Sequence, residues 1–240
     1  MRTTIIMLVA ALGAQAAVIT LNNHGFEAGN ASGWTTTGLV SVQGTATISG
    51  GSNTWIYGPA GSYLAVLSSG EGSSVPSISA LETFFGVTSG LLSSGLPPGT
   101  ATVGSGIYQD FSGNAGDTVR MYWAYAATDY VPYNDPAFAV VTGPGVEQLT
   151  VLASISNGGI PVGSYGATSW QSFTYTLPAA GTYRLGFGVV NTGDTVLPGY
   201  LMLDNARGTF SGEIPEPGAF VLVGAGLLTL GVLRRRQARA

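Results

Sequence analysis

The feature that most constrains the fold is a strand pattern that recurs along the chain between clusters of Gly, Pro and Asn. In residues 118–127, every second side chain is large and apolar: Val119, Met121, Trp123 and Tyr125. This two-residue period is typical of a strand that buries one face. Further segments of this kind lie at 38–48, 62–67, 105–112, 137–142, 148–155, 170–177, 182–190 and 200–203.

Strands of this length and number predict an all-β fold. Roughly eight to eleven of them in one domain favour an antiparallel β-sandwich. Pairing of the first strand with the last would make it a jelly roll.

One segment departs from the strand pattern and predicts a short helical insertion. Residues 77–92 carry apolar side chains at helical spacing, and Ser77 is a residue type that caps helices. The segment lies inside a long loop, 68–104, that is rich in Ser, Gly and Pro. It is either a surface excursion packed by its own aromatic side chains or a lid over a ligand. The length of the loop favours the packed excursion.

The tryptophans divide into two groups by their surroundings in the sequence. Trp34, Trp123 and Trp170 fall on strand-like apolar patterns, which predicts that they belong to the core. Trp55 and Tyr57 lie in a stretch rich in Gly, Asn and Pro, where exposure is compatible with the pattern. They are candidates for a platform on which sugar rings stack, and packing is the alternative.

Charge and cysteine content exclude several classes of function. All 12 acidic residues lie within 17–217 together with three arginines and no lysine, which gives this part a net charge of −9. Nucleic acid is excluded as a partner because phosphate binding needs a basic surface; neutral glycan or calcium suits this charge better. The chain has no cysteine, and His24 is its single histidine. Thiolate sites and His-based zinc sites are therefore excluded, and a Ser-His-Asp triad is disfavoured.

Residues 1–16 have the organisation of an export signal. A positive charge near the start precedes a short apolar stretch, 5–12. Ala14 and Ala16 then form a cleavage site of the A-x-A type before Ala17. The apolar stretch is too short to span a bilayer, so a cleaved signal peptide is expected rather than an anchor.

The C-terminal residues have three parts. The apolar run 218–233 is uncharged, and as a helix it would span about 24 Å, slightly less than a hydrocarbon core of ~30 Å. The basic cluster after it would be held on the cytoplasmic side. We therefore expect a C-terminal hydrophobic helix that contacts the membrane transiently. The flanking residues are Pro215, Glu216 and Pro217 before the run and Arg234, Arg235 and Arg236 after it.

This tripartite end resembles the PEP-CTERM sorting signal of surface and exopolysaccharide-associated proteins in Gram-negative bacteria. The resemblance implies a sorting tail, 213–240, that an exosortase-like membrane protease processes near the Pro-Glu-Pro motif. A plain single-span anchor is the alternative. The chain would then consist of a signal peptide (1–16), an ectodomain (17–212) and this tail. The protein would be exported to the cell envelope, the outer surface or the extracellular matrix.

The body of the chain resembles ectodomains found upstream of such tails and, more distantly, the galactose-binding-like jelly rolls of carbohydrate-binding modules. In many such jelly rolls a structural calcium ion lies where the first and last strands pair, and the resemblance implies Glu27 and Asp204 as its ligands. The alternative is that Glu27 accepts turn amides and Asp204 bonds Arg207. The motifs that carry the resemblance are Gly25-Phe26-Glu27, Gly33-Trp34, Tyr108-Gln109-Asp110-Phe111, Ala115-Gly116-Asp117, Gly181-Thr182-Tyr183-Arg184-Leu185 and Leu201-Met202-Leu203-Asp204-Asn205.

A second candidate site is the loop 129–136. Related surface proteins carry an acidic residue followed by Asn-Asp in this loop, and the matching residues are Asp129, Asn134 and Asp135. Tyr133 adds a stacking face for a sugar ring, and carboxylates accept sugar hydroxyls. The loop would bind an extracellular polysaccharide or an ion. The alternative is a set of Asx turns that stabilise the loop alone.

Catalytic motifs are absent from the sequence. It contains no G-x-S-x-G elbow, H-E-x-x-H helix, phosphate loop or dinucleotide fingerprint. Twelve scattered acids always allow some pair at glycosidase spacing, so their presence decides nothing. We therefore expect a non-catalytic protein of the cell surface, the exopolysaccharide or the biofilm matrix. A carbohydrate-binding module for a specific glycan is the alternative, and a secreted glycoside hydrolase ranks behind both.

Overall fold

The structure, a computed structural model, describes residues 16–212. The sorting motif (Pro215, Glu216, Pro217 and the arginines 234–236), the hydrophobic helix and Ala14 lie outside the described residues, so these assignments stay predictions. No helix within 16–212 is long and apolar enough to cross a membrane.

The helices are α1 (Ile78–Phe85) and α2 (Leu91–Gly95), with a 3-10 turn at Gly72–Ser74. The strands are β1 (Val18–Ile19), β2 (Thr35–Thr37), β3 (Leu39–Gln43), β4 (Ala46–Gly50), β5 (Asn53–Gly58), β6 (Leu64–Ser68), β7 (Ala101–Gly113), β8 (Thr118–Ala127), β9 (Ala137–Gly143), β10 (Val146–Ser154), β11 (Ile160–Pro161), β12 (Gln171–Thr176), β13 (Gly181–Thr192), β14 (Gly199–Asp204) and β15 (Thr209–Ser211).

Two six-stranded sheets form a β-sandwich. In the front sheet, β12 pairs with one edge of β8, and β1 and β14 pair with different parts of its other edge. Strand β6 then pairs with β14, and β3 pairs with β6. The back sheet has the order β11-β10-β9-β13-β7-β2. Pairing is antiparallel except for β1 on β8 and β11 on β10. The predicted all-β antiparallel sandwich is confirmed, but β1 pairs with β8 rather than with the last strand of the sandwich.

The main core fills the space between the two sheets. Strand β8 turns Val119, Met121 and Tyr125 towards the back sheet, and all three are fully buried. This is the face that the two-residue period predicted. Trp34 and Trp123 belong to the same core, as predicted. Burial of an apolar side chain of this size contributes about 1.5–3 kcal/mol, so this alternation accounts for much of the stability.

A third sheet covers the outer face of the front sheet. We call β4, β5 and β15 the outer sheet. Its Trp55 and Tyr57 pack with Trp170 against Ala124 and Met202 of the front sheet. The burial of Trp170 is confirmed here. Strands β6 and β14 are therefore buried on both faces along most of their length, whereas the edge strands β3 and β12 keep exposed residues on the outer face.

The helical insertion packs on the outer face of the back sheet. Ser77 Oγ accepts a hydrogen bond from the amide of Ala80 at 3.4 Å, and α1 ends at Gly86 with a left-handed φ of +70°. Leu81 and Phe85 are fully buried in a cluster with Phe138 and Val140 of β9. The predicted helix is confirmed, and the segment is a packed excursion held by its own aromatic side chains.

A buried carboxylate joins the two helices. Glu82 of α1 is 4% exposed, and its oxygens accept hydrogen bonds from the amides of Gly90, Leu92 and Ser93, at 2.9, 2.9 and 3.2 Å. These amides lie at the start of α2, and the first N–H groups of a helix have no hydrogen-bond partner within it. Glu82 therefore supplies from α1 the cap that α2 lacks locally.

Candidate functional site

The two predicted calcium ligands, Glu27 and Asp204, meet at the loop that follows β5. Asp204 is fully buried, and its two oxygens accept from the amides of Ala60 (2.7 Å) and Asn205 (2.6 Å). Glu27 is exposed and accepts from the amides of Ser62 (3.0 Å) and Tyr63 (3.3 Å). Burial raises the pKa of Asp204, and the nearby charge of Glu27 contributes in the same direction.

Backbone amides therefore already occupy the oxygens of this pair. For Glu27 this is the alternative left open by the sequence, whereas Asp204 bonds amides instead of Arg207. Calcium at this site stays a prediction, since two carboxylates with carbonyl groups form an acceptable ligand set.

The proposal of a sugar-stacking platform at Trp55 and Tyr57 is wrong. Both side chains are fully buried in the outer sheet, and the Tyr57 hydroxyl donates to the carbonyls of Tyr125 (3.1 Å) and Thr168 (3.0 Å). The Gly and Pro residues around them are typical of a loop, although Asn53–Gly58 also alternates in the manner of a strand. That alternation was the signal for β5.

Asn134 stabilises its loop and offers no group to a ligand, so its proposed ligand contact is wrong. It is 1% exposed, and its Nδ2 donates to the carbonyls of Pro97 and Asn157, both at 2.8 Å. Its Oδ1 accepts from the amides of Ser156 (2.8 Å) and Asn157 (2.9 Å). The side chain therefore ties the loop 129–136 to two other loops, through long-range hydrogen bonds rather than a local Asx turn.

Asp129 and Asp135 are buried at the end of the sandwich where β8 ends and β14 begins. Asp129 is 1% exposed and accepts from the amide of Tyr130 at 2.7 Å; Asp135 is 0% exposed and accepts from the amide of Thr192 at 2.8 Å. Burial raises the pKa of Asp135 to about 8, and the charges of Asp129 and Asp194 add to the effect. Burial likewise raises the pKa of Asp129 to about 6, with a contribution from Asp194.

Three tyrosines surround the surface of this end. The Tyr130 ring lies 5.9 Å from that of Tyr133 in an edge-on arrangement and 5.5 Å from that of Tyr165 in a tilted one. Tyr130 is 40% exposed, and Tyr133 and Tyr165 are half-buried. Tyr133 is thus the member of the predicted ligand set that remains near the surface.

A groove runs across the outer side of the same end. Its first depression has a volume of about 380 Å³ and is lined by residues that include Gly51, Glu71, Tyr165 and Tyr200. A second depression of about 360 Å³ continues along β3 and β4, and the two share Ser49 and Tyr200. We call both depressions together the tyrosine groove. Ligand sites in proteins have volumes of this order.

Tyr165 is held in the groove by hydrogen bonds of its backbone and by a glycine against its ring. Its amide donates to the carbonyl of Asp129 at 2.8 Å, and its carbonyl accepts from Asn53 Nδ2 at 2.9 Å. A Cβ on Gly51 would come within 3.0 Å of the Tyr165 ring, so the ring needs a glycine beneath it. Tyr165 itself has a φ of +52°. Asp135 and Leu197 at the same end also have positive φ, and such strain is concentrated at functional sites.

The sequence reasoning missed the residues of the groove. Tyr165 lies between Ser164 and Gly166 at a loop tip, and this isolated aromatic residue was an available signal. Tyr200 opens a predicted strand, and nothing in its alternation distinguishes a groove-lining side chain from a packed one. Glu71 lies in the long Ser/Gly/Pro loop and carries no motif.

Comparisons with known proteins give similarity in fold. No known protein-family model and no curated protein matches the chain. TmCBM61 in complex with β-1,4-galactotriose is 15% identical over 81% of this chain and 97% of that chain, with a TM-score of 0.42. The K3 cleaved adhesin domain of Lys-gingipain from Porphyromonas gingivalis W83 is 15% identical over 78% and 96%, with a TM-score of 0.38. The enzymatically active domain of tailspike protein 4 from bacteriophage CBA120 is 17% identical over 80% and 21%, with a TM-score of 0.35. Likenesses of this size assign no function to this chain.

Proposed function

We propose that the domain is a non-catalytic carbohydrate-binding module and that its tyrosine groove binds a neutral glycan. The single observation that carries the proposal is the groove itself, which presents Tyr165 and Tyr200 beside Glu71 and Ser49. Aromatic faces stack on the apolar faces of sugar rings, and carboxylate and hydroxyl groups bond their hydroxyls. The fixed position of Tyr165 lowers the entropic cost of binding.

The shape and charge of the groove favour one class of ligand. Its two depressions meet at Tyr200, so a bound chain could extend along β3 and β4. With 10 acidic residues, three arginines and no lysine, the ectodomain (17–212) has a net charge of −7 and repels anionic polysaccharide. We therefore propose a neutral oligosaccharide or polysaccharide segment as the ligand.

The number of carboxylates in the groove favours a binding role over a hydrolytic one. Among the described residues that line it, Glu71 is the single carboxylate. Glycosidases place two carboxylates on opposite sides of the scissile bond. A groove with one carboxylate and two tyrosines suits recognition.

The chain ends add a location to this proposal. The export signal and the PEP-CTERM-like tail support delivery to the cell surface or its exopolysaccharide by an exosortase-type system. In that setting the module would hold the protein in a glycan matrix. A structural or adhesive role without a defined glycan remains the competing hypothesis.

The test is a glycan array followed by calorimetric titration of the best neutral glycan, using the purified full chain in mild detergent. We expect Tyr165→Ala and Tyr200→Ala each to weaken binding by about tenfold or more. Tyr63→Ala is the matched control, because Tyr63 is exposed at the opposite end of the sandwich. Unchanged affinity in both groove variants would contradict the proposal. Glycan turnover that is lost in Glu71→Gln would replace it with a hydrolase.

A further inference from the structure

Two buried carboxylates lie at the end of the sandwich where β8 ends and β14 begins, which we call the loop end. Each of them has one oxygen without a partner. Asp129 and Asp135 use Oδ1 to accept one backbone amide each, from Tyr130 and Thr192. Oδ2 of both residues is buried and makes no hydrogen bond. A buried carboxylate oxygen without a partner is costly, since water no longer solvates it.

An uncharged group at the same place is also without a partner. Thr192 is 1% exposed, its hydroxyl Oγ1 makes no hydrogen bond, and its own amide bonds Asp135. Within residues 16–212, five buried side-chain polar atoms lack a partner, and three of them belong to this one cluster. The other two are indole nitrogens of Trp55 and Trp123. These unpaired atoms belong to neighbouring residues, where a cation would find oxygen ligands without displacing an existing hydrogen bond.

No basic side chain compensates for the charge of this cluster. The acids that act on Asp135 are Asp129 and Asp194, and no arginine or histidine affects the pKa of either buried aspartate. The described part of the chain has no lysine, and Arg184 pairs with Asp110 at 2.7 Å on the back sheet. Buried carboxylates are normally paired or bound to a metal ion.

We propose that the loop end binds one calcium ion through Asp129 Oδ2, Asp135 Oδ2 and Thr192 Oγ1. Calcium takes six to eight oxygen ligands, and backbone carbonyls and water would supply the remainder. Within 16–212 no group of three or more His, Cys, Asp or Glu side chains is placed to hold a metal ion, so the proposed set relies on two carboxylates, one hydroxyl and backbone or water oxygens. Asp194 is half-buried, and its charge adds to the negative field at Asp129 and Asp135.

The ion would connect two loops that support the groove. Asp129 and Asp135 begin and end the loop after β8, and Thr192 ends β13. The carbonyl of Asp129 in turn accepts the amide of Tyr165. The metal site does not depend on the proposed function, because its ligands lie behind the groove and do not line it.

The test measures calcium binding and thermal unfolding of the full chain after its calcium has been removed. We expect calcium chloride to raise the melting temperature of the wild type by several degrees, as ligand linkage requires. Asp135→Asn and Asp129→Asn should each lose most of this shift and weaken calcium binding by at least about tenfold. Without calcium, Asp135→Asn should melt at or above the wild-type temperature, because asparagine is buried uncharged whereas the aspartate must take up a proton.

Glu27→Gln is the matched control, since it changes a carboxylate at the opposite end of the sandwich. It should retain the calcium response of the loop end. If an aspartate variant fails to fold, Thr192→Val tests the same site without a change in charge and should also weaken calcium binding. Absence of any calcium response in the wild type would overturn the proposal. So would a response that Glu27→Gln abolishes and Asp135→Asn retains.

Discussion

Buried aspartates lie near both ends of strand β14, in opposite states of hydrogen bonding. At one end, Asp204 has a backbone amide on each oxygen, and Glu27 beside it also accepts only amides. At the other end, Asp129 and Asp135 have one amide each, and their second oxygens are unpaired. Both pairs are acidic. The charge of His24 acts against the rise in the pKa of Asp204, whereas no basic side chain acts on the pKa of Asp129 or Asp135.

The difference teaches that residue type does not separate a structural acid from a ligand-binding one. Asp204 stabilises the turn after β5, and the protein supplies all of its partners. Asp135 has an oxygen that the protein leaves without a partner, which is the property a cation site requires. The sequence predicted calcium at the first pair and a polysaccharide or an ion at the loop 129–136, and the oxygens without a partner belong to the second pair.

The strongest contrast is expected in the pH dependence of stability. Asp135 has a reference pKa of 3.8 and a native pKa of about 8, so the folded state keeps a proton that the unfolded state has lost. In calcium-depleted buffer the free energy of unfolding should therefore fall by several kilocalories per mole as the pH rises from about 4 to about 8. Urea unfolding at a series of pH values measures this. Asp135→Asn should flatten the curve, and wild-type stability that rises over this interval would contradict the assignment.

Asp204→Asn should destabilise the protein by about 2 kcal/mol, with and without calcium. The asparagine amide would oppose the amide of Ala60 or of Asn205, and the site is fully buried. Urea unfolding in calcium and in chelator gives the two values. A loss confined to the calcium-containing buffer would show that Asp204 is a metal ligand after all.

Thr192→Val should have effects of opposite sign in the two buffers. Without calcium it removes a buried hydroxyl that has no partner, so the free energy of unfolding should rise by about 1 kcal/mol. With calcium it removes a ligand, so the free energy of unfolding should fall. Paired urea titrations detect the reversal, and a loss of stability in both buffers would show that the hydroxyl has a partner within the protein.

Glu27→Gln should have the smallest effect, below about 1 kcal/mol. Glu27 is exposed, and glutamine retains one oxygen to accept the amide of Ser62. Thermal melting in chelator provides the measurement. A loss comparable to that of Asp204→Asn would mean that the two acids act as one buried unit rather than as separate turn supports.

The larger part of the fold was predictable from the sequence because strand periodicity is local. The alternation in β8 and β13 indicated which face is buried, and Trp34, Trp123 and Trp170 are in the core as expected. The helix after Ser77 was also predictable, because its cap and its apolar spacing lie within a few residues. Strand β5 was missed because Gly and Pro around Trp55 were weighted above its alternation.

The candidate site was predictable only in part. The loop 129–136 was identified, but its members separate in the structure: Asn134 bonds two other loops, at Pro97 and at 156–157, Tyr133 is half-buried near the surface and the two aspartates are buried. The groove joins Gly51, Tyr165 and Tyr200, which lie far apart in the chain. No local sequence pattern indicates that these three residues line one groove.

The sequence by itself determined the sandwich, the helical insertion, the acidic and cysteine-free character of the ectodomain, and the features that predict export and sorting. These follow from periodicity, composition and short motifs, which act over a few residues. Only the tertiary structure decided which aromatic side chains are covered and which carboxylate oxygens lack a partner. The burial of a side chain and the hydrogen bonds of a carboxylate both depend on residues that are distant in the chain. The fold alone brings those residues into contact.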